Sequence, residues 1–414
     1  AAMRRFEYLQ VILGTQFGSI ISLGIGPIVM SSIILQLLVG SNILDIDTST
    51  EEGKSYFQGL QKLAAFFFII FEAIVYVVMK GLQPHPGYTG IVIFQLILGG
   101  LAILFMDEVV QKWGFGSGIS LFIAAGVSWS LFTGMFQFVN QAGRNCLLNF
   151  SGEGFTACSG KVLVLIQSLI NQVPTEALSA FAILAITVVI FLIVVWAQSL
   201  KVEIPLSFSR LRGHGMKWPL QFFYASVIPV ILTSALTANL QLFGGMIQNW
   251  LGHPTILGNF VGGRAVSGLA YWLSPFDFLQ SLIKGNLQMI FIPRAVTYML
   301  FYMLGASIFS VFWVKTSGMD ARSQAEKIMN SGLQIPGFRK DERVLESVLS
   351  RYIMPLTVMG GIAIGLLASS ADLLGALTSG TSILLAIMIL YKLYQEIAQQ
   401  HAMDMHPALK KMMG

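Results

Sequence analysis

Residues 23–40 read Leu-Gly-Ile-Gly-Pro-Ile-Val-Met-Ser-Ser-Ile-Ile-Leu-Gln-Leu-Leu-Val-Gly, and the reading of the whole chain turns on them. Gly24 and Gly26 relax the backbone, Pro27 suits the first turn of a helix, and the apolar run ends at Gly40. A helix thus begins inside an apolar zone. From Pro27 to Val39 it covers about 20 Å, short of a hydrocarbon core roughly 30 Å thick. The preceding Gly14-Thr15-Gln16-Phe17-Gly18-Ser19-Ile20-Ile21-Ser22 must supply the missing depth as a second, weakly helical piece. Backbone broken at membrane depth is tolerated only where protein or a watery cavity covers it, so the break marks a pathway.

Composition agrees with a membrane setting. The chain is 55% hydrophobic and 11% charged, with a mean hydropathy of +0.73, which describes an all-α, polytopic membrane protein. Apolar segments fall at about 16–40, 60–80, 89–106, 119–139, 179–200, 219–243, 289–314, 352–372 and 374–394, nine spans in all. Nine spans put the termini on opposite sides. Loops 41–62, 107–118, 199–218 and 315–352 and the tail after 391 collect 17 of the 25 lysines and arginines, so by the positive-inside bias they are cytoplasmic. The N-terminus is then external and the C-terminus cytoplasmic. No signal peptide is legible in the first 22 residues.

A polar external loop at 140–178 separates four spans from five and divides the chain into halves, 1–178 and 179–414. It holds both cysteines, Cys146 and Cys158, which either form a disulfide or remain free thiols, and the pattern Asn149-Phe150-Ser151 of a glycosylation site. Ser199 to Pro219 carries a Val202-Ile204-Leu206 alternation and the turn residues Gly213-His214-Gly215, a short hairpin with Arg210 and Arg212 near its tip. The 315–352 loop carries Gly337-Phe338-Arg339-Lys340 and then helical periodicity from Asp341 to Arg351. Both basic loops serve either as positive-inside anchors or as docking sites for a phosphate-rich partner such as ribosomal RNA.

The five histidines lie in loops or the tail without metal-ligand spacing, and no Gly-x-Ser-x-Gly occurs. Gly114-Phe115-Gly116-Ser117-Gly118 lacks the Lys-Ser/Thr of a phosphate loop and reads as a tight turn into a helix. These patterns point to no enzyme, cofactor or metal. Glu72 lies well inside a span, either hydrogen-bonded to neighbouring helices or acting as a relay, while Asp107 and Asp372 lie near span ends. One carboxylate is thin for ion coupling. A secondary transporter for a small solute stays open as the alternative class, because transporters share broken helices and a central site.

Several motifs, taken together, resemble the SecY family, the pore-forming subunits of the Sec protein-conducting channel, with wording closest to archaeal members. They are Leu-Gly-Ile-Gly-Pro-Ile-Val at 23–29, Gln-Leu-Leu-Val-Gly at 36–40, Gln61-Lys62-Leu63, Gly-Ser-Gly-Ile-Ser-Leu-Phe-Ile-Ala-Ala-Gly-Val at 116–127, Lys-Val-Glu-Ile-Pro at 201–205, Ile-Pro-Val-Ile-Leu at 228–232, Gly337-Phe338-Arg339-Lys340 and Arg351-Tyr352-Ile353. The family has ten spans in two pseudosymmetric halves, and this sequence starts where the second is expected, which implies a gap on the outer flank of the N-terminal half. The resemblance implies a pore ring of Ile25, Val29, Ile119, Ile123, Ile231 and Leu385, in which Ile25/Val29 and Ile119/Ile123 are i, i+4 pairs on one helix face. Branched aliphatics there would exclude hydrated ions by dewetting while offering a passing chain no specific hydrogen bonds.

The resemblance further implies a displaceable plug at about 7–22, including Gly14, Thr15, Gln16, Phe17, Gly18 and Ser19, whose composition makes a weak helix. A lateral gate to lipid would lie between helices at 27–40 and 60–80 and those at 219–243 and 289–314, with Pro229 mid-span and kinking its helix. Where the family pattern leads to Thr and Asn at the gate, this sequence has Met30 and Val227, losing interhelical hydrogen bonds of roughly 0.6 kcal/mol each; Glu72 remains. The implied partners are small SecE/gamma-type and beta-type membrane subunits, the lipid bilayer, signal peptides and nascent polypeptides, and a ribosome docked through Arg210, Arg212, Lys217, Arg339 and Lys340. The implied function is translocation of unfolded polypeptides across the cell membrane and lateral insertion of membrane proteins.

Overall fold

The computed structural model describes residues 21–40, 43–46, 51–78, 84–85, 87–114, 118–139, 145–147, 158–208, 215–251, 253–261, 264–286, 288–330, 333–334 and 341–405. Every one of the nine apolar segments contains a helix. These are α1 (Gly26–Gly40), α2 (Glu51–Val78), α3 (Thr89–Trp113), α4 (Gly118–Phe136), α6 (Pro174–Ser199), α7 (Ile228–Leu251), α10 (Phe291–Thr316), α12 (Glu342–Leu373) and α13 (Gly380–Met405). Shorter helices α5 (Lys161–Ile170), α8 (Leu269–Trp272), α9 (Phe278–Ile283) and α11 (Ala321–Asn330) lie between them. Among the described residues, α2, α3, α4, α6, α10 and α12 are long and apolar enough to cross a membrane; α7 and α13 hold shorter apolar stretches at Ile228–Thr237 and Gly380–Gln395. Helix α6 shows why these segments suit lipid: it buries Ala180, Ile183, Ile190 and Val194 and exposes Phe181, Val188, Leu192 and Trp196. Both faces are apolar, so burial and exposure divide by packing and not by polarity.

The chain forms two compact units, Ala1–Leu35 with Ile46–Gln137 and Leu385–Gly414, and Gln36–Asp45 with Phe138–Leu384. In the first, α2 packs on α3 around Leu23, Ala73, Val77 and Leu96. Gln61 Nε2 donates to Ser32 Oγ, tying α2 to α1. Glu108 accepts from Lys62 of α2 and from Lys112 one turn along α3, at 2.7 and 2.8 Å. The Gln61-Lys62 pair singled out in the sequence therefore fastens α2 to both its neighbours.

In the second unit α10 lies along α12, where Gly361 and Gly365 face the backbone of Ser307 and Tyr302 too closely to admit a side chain. Strands β1 (Lys201–Phe208) and β2 (Gly215–Gln221) form the predicted antiparallel hairpin, with Ile204 opposite Trp218. Strand β5 (Leu333–Gln334), from the last long loop, joins the other edge of β1 through Ser207 and Phe208. Ile204 and Leu220 bury against Trp313, Ile328, Leu349 and Ile353 from α10, α11 and α12. Strands β3 (Asn259–Val261) and β4 (Arg264–Ser267) make a second, two-stranded sheet.

Five expectations change. The helix expected at 219–243 begins only at Ile228, because pairing with β1 claims the chain to Gln221 and residues 222–227 turn, with Ser226 at φ 59°. Pro229 therefore occupies the first helical turn, where its missing N–H costs nothing, and it starts α7 instead of kinking it at mid-span. The 140–178 connection is not all loop: α5 packs on α6. Residues 374–379 are a turn before α13, and the periodic stretch Asp341–Arg351 fuses with the following span into α12, with Asp341 accepting from the Arg343 N–H at 3.0 Å.

The two cysteines are joined, with Cα atoms 5.2 Å apart. Arg294 is a structural bolt: buried at the start of α10, it donates to the carbonyls of Tyr271 (2.9 Å) and Ser274 (3.2 Å) and lies over the rings of Tyr271 and Phe276.

Candidate functional site

The six expected ring positions share a local setting: all lie within the first two turns of a helix or just before it. Ile25 is buried and precedes α1, its carbonyl accepting the N–H groups of Ile28 (3.1 Å) and Val29 (3.0 Å). Ile119 and Ile123 sit in the opening turns of α4, one half-buried and one buried. Ile231 is half-buried in the first turn of α7, and Leu385 is buried near the start of α13. Ile25, Val29, Ile119, Ile123 and Leu385 belong to the first unit and Ile231 to the second. Side chains at such positions ride on helix ends whose first N–H groups need partners from outside the helix.

Two of those partners are carboxylates. Asp107, buried near the end of α3, accepts the Ile119 N–H at 2.9 Å and Gln111 Nε2 at 2.8 Å. Asp372, buried at the end of α12, accepts the Gly380 N–H at 2.7 Å and the Tyr298 hydroxyl at 2.8 Å. Sequence reasoning placed both only as carboxylates near span ends. The signal that could have found them is an Asp in the last turns of one apolar segment followed within a dozen residues by a glycine opening the next.

At the expected gate, Met30 is exposed on α1 and Glu72 is half-buried on α2. Among the described residues Glu72 makes no salt bridge. Val227 is 3% exposed and stands at the cap of α7, its carbonyl taking the N–H groups of Val230 (3.0 Å) and Ile231 (3.2 Å). Among the described residues no group of three or more His, Cys, Asp or Glu could hold a metal ion.

On the basic side, β1, β2 and β5 bring the stems of both expected docking loops into one sheet. Lys217 is exposed and pairs with Glu203 across the hairpin at 2.7 Å; this hydrogen bond and the negative charge raise its pKa. Arg210, Arg212, Arg339 and Lys340 lie outside the described residues, as do the plug positions Gly14, Thr15, Gln16, Phe17, Gly18 and Ser19.

A family model for SecY matches residues 19–394. The chain belongs to the SecY family. The protein translocase subunit SecY of Methanothermobacter thermautotrophicus is 44% identical over 419 residues, covering 100% of this chain and 88% of that relative. The solved structure described as that of a protein conducting channel superposes with a TM-score of 0.77 at 38% identity, covering 97% of this chain and 87% of the other. Sec61 in the canine ribosome-channel complex from the endoplasmic reticulum gives a TM-score of 0.74 at 37% identity, covering 97% and 86%. As a SecY protein it is a multi-span membrane protein and a channel subunit, not an enzyme. The solute-transporter alternative falls away.

Proposed function

We propose that this chain is the pore-forming subunit of a protein-conducting channel that passes unfolded polypeptides across the cell membrane and releases apolar segments sideways into lipid. The observation that carries this reading is the likeness, along essentially the whole of this chain, to SecY translocase subunits and to a solved protein-conducting channel. The halves 1–178 and 179–414 flank the pore, with the N-terminus external and the C-terminus cytoplasmic. Ile25, Val29, Ile119, Ile123, Ile231 and Leu385 form the apolar seal, and residues 14–19 act as the plug beneath it. Small SecE/gamma-type and beta-type subunits complete the complex. The channel has no catalytic cycle of its own, so a ribosome or another partner drives movement.

A seal of branched aliphatics works by dewetting and is indifferent to the sequence passing through it. Replacing Ile119, Ile123 and Ile231 with serine in the reconstituted complex should raise ion leak several-fold; a leak equal to the parent's would contradict the seal.

Gate opening, with Met30 and Val227 in place of polar groups, depends on apolar packing. Met30→Thr combined with Val227→Asn adds interhelical hydrogen bonds of roughly 0.6 kcal/mol each and, at Val227, a side-chain cap for α7. Graded signal sequences should then show a raised hydrophobicity threshold for translocation. An unchanged threshold would count against a packing-controlled gate.

The shared sheet under the two basic loops supports one docking face for the ribosome, made by Arg210, Arg212, Lys217, Arg339 and Lys340. Lys217 contributes least, because Glu203 already neutralises it. Reversing the charge at Arg210 and Arg339 should weaken ribosome binding at least about tenfold near physiological salt and flatten its salt dependence, as expected when phosphate contacts are lost. Unchanged affinity and slope would remove the docking assignment.

A further inference from the structure

We propose that Asp107 and Asp372 are a matched pair of positioning residues, each holding the N-terminus of the next helix and so setting the depth and rotation of the ring side chains that helix carries. The inference rests on the pore-ring reading. Both carboxylates stand in the last turns of one membrane helix, α3 or α12, and reach across a short connection to the first residues of the next, α4 or α13. In α4 the N–H held is that of the ring residue Ile119 itself, and Ile123 lies one turn on. In α13 the N–H held is that of Gly380, the first residue of the helix whose second turn presents Leu385.

The rest of each site fits the same purpose. Gln111 Nε2 fixes the second oxygen of Asp107, and the fully buried Tyr298 hydroxyl fixes that of Asp372. Each carboxylate is thus held at both oxygens. Both helices open on glycine, and neither site has room for a Cβ: at 118 it would lie 2.8 Å from Asp107 Oδ1, and at 380 it would strike the Ala368 carbonyl. The turn before α13 is pinned further, Leu377 N–H donating to Thr187 Oγ1 at 3.1 Å and Ser382 N–H to Ser379 Oγ at 3.3 Å.

The chemistry favours a carboxylate over a neutral cap. Hydrogen bonds to an ionised acceptor are shorter and about twice as strong as neutral ones, and the positive end of the helix dipole adds to them. Away from water the freed N–H has no substitute partner, so it finds one only if the helix shifts. A slip of one residue turns a helix by about 100°, enough to carry Ile119 or Leu385 off the pore axis. An ordinary cap such as Asp341 on α12 is exposed and far along the chain from any ring residue, and its loss should affect stability alone.

Ion leak through vesicles holding the complete channel complex tests the inference, with complex assembly and melting temperature measured in parallel. Asp107→Ala and Asp372→Ala should each raise leak about tenfold, the shift expected when one charge-assisted hydrogen bond is lost from the closed state. Asp107→Asn and Asp372→Asn keep one accepting oxygen but lose the charge, and should leak less than the alanine variants. Asp341→Ala should leave leak unchanged. Gly118→Ala, which crowds the carboxylate without removing it, should leak like Asp107→Ala. Should the alanine variants at 107 or 372 fail to assemble, the asparagine variants and Gly118→Ala decide: asparagine variants tighter than a leaky Gly118→Ala support the pair, and a sealed Gly118→Ala overturns it. Alanine variants that assemble and seal like the parent, or leak no more than Asp341→Ala, also overturn it. Ile119→Ser separates the two levels: if it leaks while the Asp variants seal, only the positioning role fails, and if it too seals, the ring reading fails.

Discussion

A helix that begins in an apolar setting carries N–H groups that no water can reach, and the arrangement of this protein follows from how those groups are satisfied. Membrane helices ordinarily avoid the difficulty by ending in the aqueous interface. The four helices carrying the proposed ring place its residues at their own openings, because a ring midway through a bilayer needs chain that starts or breaks there. In α1 and α7 the cap carbonyls of Ile25 and Val227 take the first helical N–H groups and a proline, Pro27 or Pro229, leaves one donor fewer to satisfy, while α4 and α13 recruit buried aspartates from the preceding helices. The polar cost of interrupting helices is met locally, with short hydrogen bonds and glycines that let the partners approach. The side chains proposed for the ring can then be purely apolar.

The opposite demand operates at the proposed docking face. There the hairpin β1–β2 and the strand β5 combine into one sheet, held by Ile204 and Leu220 against the ends of α10, α11 and α12. The side chains of the hairpin divide as alternation requires, Ile204 inward and Glu203 and Pro205 outward. Lys217, already paired with Glu203, belongs more to the stem than to the face it supports.

Features set by local pattern were legible in the sequence. The nine apolar segments each hold a helix, the Val202-Ile204 alternation became a strand, and the 114–118 glycine run ended at the first residue of α4. Features set by contacts between distant residues were not. Pro229 looked central because the apolar run 219–243 is continuous in composition, whereas pairing across the hairpin removes its first residues from the helix. Asp107 and Asp372 looked like ordinary charges at span ends, since nothing in linear order says whose N–H a carboxylate will meet. The disulfide was undecided for the same reason, two cysteines in a loop being equally compatible with either state until their backbones are seen 5.2 Å apart.

A translocating polypeptide is proposed to pass through the collar formed by the openings of α1, α4, α7 and α13. A photo-crosslinking residue placed singly at Ile25, Ile119, Ile231 or Leu385, and at the exposed Trp129 and Phe181 for comparison, reports this directly when a precursor is arrested midway through the channel. The account predicts adducts to the precursor from all four collar positions and none from Trp129 or Phe181. Adducts at the two exposed positions with none at the collar would contradict it.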